Sequence, residues 1–134
     1  MFIDANFLVY LNTLRDRDVL SLFENFFEKL LIEYVLFTDI LVLDDVLYVS
    51  KSKYKVPYSV TIRFLNKLIP KYVNLVPPTL REYVKAVEII EQYGLKPSDA
   101  IHAATCTINN IGYIVSEDQE FDRIENMERI RAET

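Results

Sequence analysis

The fold of this chain is decided by residues 95–122, LKPSDAIHAATCTINNIGYIVSEDQEFD. Pro97 and Ser98 are typical of a helix start, and the small and apolar residues that follow them allow close packing along a helix. This pattern places Asp99 in the first helical turn. An acid in that position can serve a site, or it can simply interact favourably with the helix dipole.

A buried strand is expected directly after this helix. The turn residues Asn109, Asn110 and Gly112 end the helix, and residues 113–115 are apolar and partly β-branched, as in strands that are buried on both faces. Asp118 and its acidic neighbours follow at the carboxyl end of this strand. Acidic residues at such an edge usually serve a functional site.

In the rest of the chain, strand-like and helical segments alternate. Short apolar runs predict further strands at residues 1–3, 72–76 and 129–131. Apolar residues at helical spacing predict helices at residues 6–14, 20–34, 40–55, 60–68 and 80–93. Thr38 or Asp39 can cap the helix at 40–55. Strands that alternate with helices imply a mainly parallel sheet covered on both faces, which is an α/β fold. The length of 134 residues fits one domain, residues 1–134.

Two of these helices have faces that can be assigned from the spacing. Leu80, Tyr83 and Val84 fall on the apolar face of the helix at 80–93, which leaves Glu82 for solvent. The helix at 20–34 is rich in phenylalanine, and its apolar face is most simply part of the core. The alternative is that part of this face forms a homodimer contact or a groove for a partner protein.

Composition predicts a folded protein of the cytoplasm. The hydrophobic fraction is 51% with two glycines, and charged residues interrupt the most apolar region, so no membrane span is expected. The beginning of the chain lacks the basic residues and the cleavage pattern of a secretory signal. Cys106, the single cysteine, has apolar helical neighbours and is expected to be a buried structural thiol.

Charge is unevenly distributed along the chain. The formal net charge is −5, yet residues 46–80 contain no acid and six cations. Among these, Lys51, Lys53 and Lys55 lie near a predicted helix end, where cations are ordinary. Alternatively they contact RNA phosphates, with the neighbouring tyrosines Tyr48, Tyr54 and Tyr58 available to stack on unpaired bases.

Four aspartates on four different elements are expected to share one crevice. Asp4 follows the first strand and Asp118 follows a later one, and the carboxyl ends of neighbouring parallel strands meet at one crevice. Asp99 at a helix start and Asp45 within a helix can point into the same place. Like charges within about 4–6 Å disfavour mutual ionisation. Such a group therefore needs cations, shared protons or separation to be tolerated. If a cation is bound, oxygen ligands favour Mg²⁺ or Mn²⁺.

The chain resembles the PIN domain family, especially the VapC-type toxins of prokaryotic toxin–antitoxin pairs. The motifs that carry the resemblance are MFIDAN around Asp4, LDDV around Asp45, LKPSDAIHAA around Asp99 and IVSEDQEFDRI around Asp118. The resemblance implies a three-layer α/β/α fold with a mainly parallel central sheet. It also implies a divalent-metal-dependent endoribonuclease that cuts single-stranded or loop RNA, a cognate antitoxin as partner, and a homodimer.

The resemblance also implies roles for individual residues. Asp4, Asp45, Asp99 and Asp118 would be the catalytic residues, and Asp4, Asp99 and Asp118 would bind the metal. The family usually has glutamate where this chain has Asp45, so the adjacent Asp44 can take that role instead; only one of two adjacent helical residues is expected to face the crevice. Residues that could support the ligands or bind a second metal are Asn6, Ser116, Glu120 and Asp122.

The expected reaction is hydrolysis of a phosphodiester bond by in-line displacement, with a metal that lowers the pKa of a bound water. His102, the sole histidine, is expected to pack or to make a structural hydrogen bond. Two other functions stay open. One is a degenerate PIN-like domain that binds RNA or protein without cleavage. The other is a metal-dependent phosphatase, although Asp4-Ala5-Asn6 lacks the second aspartate of the common phosphatase signature.

Overall fold

The computed structural model describes residues 1–132 and consists of a central β-sheet between layers of helices. Its elements are β1 (Phe2–Ile3), α1 (Ala5–Thr13), α2 (Arg17–Glu33), β2 (Phe37–Thr38), α3 (Ile40–Ser52), α4 (Tyr58–Leu68), β3 (Asn74–Leu75), α5 (Leu80–Tyr93), α6 (Pro97–Ile108), β4 (Tyr113–Val115), a 3-10 turn (Gln119–Arg123) and β5 (Glu128–Ile130). The five strands are all parallel and lie in the order β3-β2-β1-β4-β5. The predicted three-layer α/β/α fold is therefore confirmed.

The register of the sheet brings three chain segments to one edge. Phe2 of β1 pairs with Phe37 of β2 on one side and with Ile114 of β4 on the other. Because these strands are parallel, the residues that follow them lie side by side at their carboxyl ends. Asp4 and Asp39 occupy this edge, and Ser116 follows β4.

The phenylalanines of α2 mainly form core. Phe7 of α1 packs against Phe23, Phe26 and Phe27 of α2, with ring centroids 5.9, 5.7 and 6.1 Å apart. Aromatic pairs of this kind contribute about 0.5–1.5 kcal/mol each beyond the burial of their area. They hold α1, and with it Asp4 at its N-terminus, firmly against α2.

Small residues allow α6 to be deeply buried. Ala100, Ala103 and Ala104 are inaccessible to solvent, and Ala86 and Ile89 on α5 are buried as well. Small side chains let two helices approach closely, and this packing fixes the position of Asp99 in the first turn of α6. Cys106 is buried as expected, and burial raises the pKa of its thiol, so the residue is suited to packing rather than to nucleophilic chemistry.

The prediction of which face of α5 is buried is wrong. Leu80 is 75% exposed and Tyr83 and Val84 are exposed too, whereas Glu82 is only 5% exposed. The reason is a capping box, in which the Glu82 carboxylate turns back to accept from the Thr79 amide at 2.8 Å. With Glu82 turned inward, the helix buries its alanine and isoleucine positions instead.

Several boundaries also differ from the predicted ones. β2 was not predicted from the sequence. β3 is shorter than the predicted strand at residues 72–76. The helix predicted at residues 40–55 ends at Ser52. At the end of α5, Gly94 forms the C-terminal cap in the left-handed conformation, with a φ of 69°. None of the helices in residues 1–132 is both long and apolar enough to cross a lipid bilayer.

Candidate active site

Asp4 is buried and held rigidly at the carboxyl end of β1. It is the N-cap of α1, where its Oδ1 accepts a hydrogen bond from the Ala5 amide at 2.8 Å. Its Oδ2 accepts from the Ser116 hydroxyl at 2.6 Å, across the β1–β4 pair. Ser116 was predicted to orient a ligand, and this hydrogen bond fits that role.

Three other carboxylates, on α6 and on the segment after β4, come together in a group that does not include Asp4. Asp99, Asp118 and Glu120 each place one carboxylate oxygen within 4.8 Å of the others. The Asp118 carboxylate accepts from the Glu120 amide at 3.0 Å and starts the 3-10 turn, which carries Glu120 back towards α6. Glu120 was predicted only as a supporting residue, and the geometry gives it the same access to the cluster as Asp99 and Asp118.

The proximity of these acids changes the acidity of Asp99. Partial burial, the negative charge of Asp4 and a hydrogen bond with Asp118 together raise the pKa of Asp99 to about 7, although His102 acts in the opposite direction. The neutral carboxyl is favoured because each ionised neighbour makes another negative charge more costly. Asp99 is thus the group in this cluster that gains most from a nearby positive ion.

Of the two adjacent aspartates on α3, Asp45 faces the crevice. Asp44 is exposed, whereas Asp45 is half-buried and lines a cavity of about 230 Å³ together with Asn6, Lys53 and Tyr54. Burial raises the pKa of Asp45, His102 opposes that shift, and nearby acids including Asp4 add to it. Asp45 therefore lies within electrostatic reach of Asp4, and Asn6 lies in the same cavity.

Asp39 is a buried acid that the sequence analysis treated only as a possible helix cap. Its Oδ1 accepts from the Val42 amide at 3.0 Å, and its Oδ2 is 2.6 Å from Nδ1 of His102. Both side chains are almost completely buried. Asp39 follows Phe37–Thr38 in the way that Asp4 follows Phe2–Ile3, and this repeated pattern was the available signal.

The imidazole of His102 is paired with Asp39 and interacts electrostatically with Asp4 and Asp99. Burial lowers the pKa of His102, but the hydrogen bond and charge of Asp39, with the charges of Asp4 and Asp99, outweigh burial and raise this pKa above its ordinary value. The structural hydrogen bond expected for His102 is therefore present. It joins α6, which carries Asp99, to the start of α3, which carries Asp45.

Asp122 has a different partner from the one predicted. It is exposed, and its two oxygens lie 2.8 and 3.0 Å from Nε and Nη2 of Arg129. The hydrogen bond with Arg129 lowers the pKa of Asp122. Arg129 also donates to the Ser116 carbonyl at 3.2 Å, so this pair secures the loop after β4 rather than adding a fourth oxygen to the group of Asp99, Asp118 and Glu120.

The cluster is chemically suited to a hard divalent cation. Its donors are all carboxylate oxygens, which is the ligand type that Mg²⁺ and Mn²⁺ prefer. Within residues 1–132, Oε2 of Glu120 is a buried side-chain oxygen without a hydrogen-bond partner. A buried acceptor of this kind is costly unless a cation or donor approaches it.

The three predicted RNA-binding lysines lie on different sides of the end of α3. Lys53 lines the cavity of Asp45, and its Nζ is 5.4 Å from the ring centroid of Tyr54. Lys51 faces α4, with its Nζ 4.1 Å from the ring centroid of Tyr58. Lys55 lies in the turn after α3, and its Nζ donates to the Ser52 carbonyl at 3.0 Å. All three lysines are exposed.

Comparisons with known proteins identify the family and the fold of the chain. The family model described as PIN domain matches residues 1–127. No curated protein matches the chain significantly by sequence. A similar solved structure is VapBC2 from Rickettsia felis bound to a DNA fragment from its promoter, with a TM-score of 0.73 and 21% identity over 98% of this chain and 98% of that chain.

Two other solved structures share the fold. A toxin–antitoxin complex from Klebsiella pneumoniae has a TM-score of 0.68 and 17% identity over 94% of this chain and 93% of that chain. VapC20 from Mycobacterium tuberculosis, described as a sarcin–ricin loop cleaving toxin, has a TM-score of 0.69 and 15% identity over 90% of this chain and 92% of that chain.

Proposed function

Because this chain belongs to the PIN domain family, we propose that it is a divalent-metal-dependent endoribonuclease and the toxin of a toxin–antitoxin pair. The observation that carries the proposal is the meeting of Asp99, Asp118 and Glu120 within 4.8 Å, with one Glu120 oxygen unpartnered among the described residues. We propose that the whole chain acts as one domain in the cytoplasm.

Each acidic residue has a role in this proposal. Asp4, Asp99 and Asp118 hold Mg²⁺ or Mn²⁺, and Glu120 contributes a further oxygen. A bound ion supplies Lewis acidity, lowering the pKa of a coordinated water and stabilising charge on the phosphate. Ser116 keeps the Asp4 carboxylate oriented through its 2.6 Å hydrogen bond. Asp45, with its raised pKa, is placed to accept the proton of the attacking water.

The proposed partners are supported by the printed descriptions of the similar structures. Two of those structures are toxin–antitoxin assemblies or parts of them, and one is described as a sarcin–ricin loop cleaving toxin. We propose by analogy that this chain binds a cognate antitoxin and forms a homodimer. Sedimentation of the purified protein and co-expression with the product of the adjacent gene test this proposal. Monomers at every concentration together with no tight complex would exclude both partners.

Replacing Lys51, Lys53 and Lys55 together with alanine is expected to weaken the binding of single-stranded RNA and to flatten its salt dependence. Each phosphate contact contributes about 0.7 to the slope of log K against log salt, so three lost contacts reduce the slope by about 2. Fluorescence anisotropy of labelled RNA across a salt titration, with EDTA to prevent cleavage, measures both quantities.

A matched control replaces three cations elsewhere, Arg15, Lys29 and Lys85, and removes the same total charge. We expect this control to retain most of the slope, since general electrostatic attraction is screened beyond about 10 Å at 0.1 M salt. Equal slopes for the two triple variants would contradict a specific role for the lysines at the end of α3.

The thermal stability of the metal-free protein is expected to fall as the pH rises from about 4 to about 7. The pKa of Asp99 is about 7 in the fold against an ordinary value of 3.8, so through this carboxyl the folded state binds more protons than the unfolded state in this interval. A divalent ion binds the ionised carboxylates, and its stabilising effect should grow over the same interval.

Differential scanning fluorimetry with EDTA or Mn²⁺ at several pH values measures this dependence. The difference between the native protein and Asp99→Asn isolates the contribution of this one carboxyl from those of the other acids. A stabilisation by Mn²⁺ that is independent of pH, or equal in Asp99→Asn, would contradict the assignment of Asp99 as a ligand.

A further inference from the structure

A second cavity lies beyond the acidic cluster, between the end of α3 and the start of α4. Its volume is about 500 Å³, and it is lined by Tyr48, Lys51, Ser52, Lys55, Pro57 and Tyr58. Cavities of about 300–1,000 Å³ are the size that accommodates small organic ligands. The volume is therefore sufficient for a single planar group such as a nucleobase.

The hairpin of α3 and α4 that forms this cavity is fixed to the rest of the site. The Asn12 side chain on α1 donates to Ser50 Oγ at 3.0 Å and to Thr61 Oγ1 at 2.8 Å, which joins α1, α3 and α4. Ser50 and Thr61 are inaccessible to solvent. Pro57, with its restricted φ, forms part of the wall. The cavity is thus largely preformed, and α1 links it to Asp4.

The lining combines exposed aromatic rings with positive charge. Tyr48 is 63% exposed and Tyr58 is 45% exposed, so both rings are accessible. The Lys51 ammonium lies over the Tyr58 ring, 4.1 Å from its centroid, and such a contact is weak at an exposed site, so the ammonium can exchange this ring for a phosphate. The lining contains no acid, and the whole segment 46–80 is free of acids.

The position of the cavity matches a path of RNA towards the acidic cluster. Tyr48 follows Asp45 on α3 by three residues, a rise of about 4.5 Å along the helix axis. Lys53, on another face of α3, shares the cavity of Asp45. The two cavities therefore lie along the same helix, so an RNA strand that contacts Lys53 in the cavity of Asp45 can continue to Tyr48 and Tyr58 in the second cavity.

We propose that the cavity between α3 and α4 binds one unpaired nucleobase of the RNA, stacked on Tyr58 and Tyr48, with the adjoining phosphate contacted by Lys51 and Lys55. This inference rests on the proposed function, and it specifies the substrate as RNA that is unpaired at a nucleotide beside the cleavage site. A paired base cannot occupy the cavity, because its faces are covered by its neighbours in the duplex.

The test is an abasic scan of a short single-stranded RNA, in which each nucleotide in turn lacks its base. Binding is measured by fluorescence anisotropy with EDTA present, for the native protein, Tyr48→Leu, Tyr58→Leu and the control Tyr83→Leu. Tyr83 is also exposed but lies on α5, away from the cavity. Duplex RNA serves as a second control, because it offers phosphates without free bases.

We expect one position at which loss of the base weakens binding by about tenfold in the native protein and in Tyr83→Leu. This positional effect should disappear in Tyr58→Leu and diminish in Tyr48→Leu, while duplex binding stays the same in all four proteins. A flat abasic scan, or a positional effect that survives both substitutions, overturns the proposal. A changed molar mass of the tyrosine variants with unchanged RNA affinity assigns the cavity to a protein contact and also overturns it.

Cleavage measured separately with Mn²⁺ distinguishes this proposal from the proposed function. If the native protein cleaves RNA but the abasic scan is flat, base binding in the cavity is excluded and the proposed nuclease activity is retained. If the scan shows a positional effect but no cleavage occurs, base binding in the cavity is retained, and the protein is an RNA-binding domain without nuclease activity. If none of the four proteins binds RNA, both the base-binding cavity and the proposed nuclease activity are excluded.

Discussion

Replacement of Asp99 with asparagine is expected to lower the rate of metal-dependent RNA cleavage by about 100-fold or more. Asp99 meets Asp118 and Glu120 within 4.8 Å, so its loss removes one charged oxygen from the proposed ion site. Metal stabilisation of transition-state charge contributes several kcal/mol, and each 1.36 kcal/mol corresponds to about a tenfold change in rate. Cleavage of structured and unstructured RNAs with Mg²⁺ or Mn²⁺ measures the effect, and Asp4→Asn should behave in the same way.

Asp122→Asn is the matched control, because it makes the same chemical change at an exposed aspartate paired with Arg129. It should retain most of the cleavage rate. Asp99→Asn should remain folded, and with EDTA at neutral pH it should be at least as thermally stable as the native protein, since the substitution removes a repelled carboxylate. Equal cleavage by the native protein, Asp4→Asn and Asp99→Asn would point to a contaminant or another site.

Replacement of His102 with leucine is expected to lower the free energy of unfolding by about 3–5 kcal/mol, the usual cost of removing one partner from a buried ion pair. The substitution leaves the Asp39 carboxylate without the group that lies 2.6 Å from its Oδ2. His102→Gln should lose less, because the glutamine amide can donate to the same oxygen. Urea unfolding with EDTA, followed by circular dichroism, gives these free energies.

The effect of His102→Leu should also depend on pH. The pKa of His102 is raised above its ordinary value of 6.5, so the contribution of the protonated imidazole is complete below about pH 6.5 and is lost as the pH rises through the folded-state pKa. The destabilisation by His102→Leu should therefore be largest in mildly acidic solution. If His102→Leu has the same free energy of unfolding as the native protein at pH 6, the Asp39–His102 pair does not stabilise the fold.

Several residues of the proposed site were identified from regular patterns in the sequence. Asp4 and Asp118 were identified because each follows a run of buried residues, and Asp99 because proline and serine mark a helix start. The resemblance to the PIN domain family directed attention to Asp45. Of the two adjacent aspartates, Asp44 is exposed and Asp45 is turned inward.

Other features could not be predicted because they depend on short elements or on tertiary contacts. β2 has two residues, too few for an alternating pattern, so Asp39 was assigned only to a helix cap. Glu120 reaches the cluster only through the 3-10 turn begun by Asp118. The buried face of α5 was misassigned because hydrophobic periodicity does not register the inward turn of a capping glutamate.

The hydrogen bond between Ser116 and Asp4 joins residues that are 112 positions apart. Protein synthesis proceeds from the amino terminus, so Asp4 leaves the ribosome long before β4 and the residues that follow it exist. A nascent chain that has not reached residue 113 lacks both the strand beside β1 and two of the three clustered carboxylates. The arrangement of acids therefore assembles only after residues 113–120 have been synthesised, and shorter nascent chains do not carry the site.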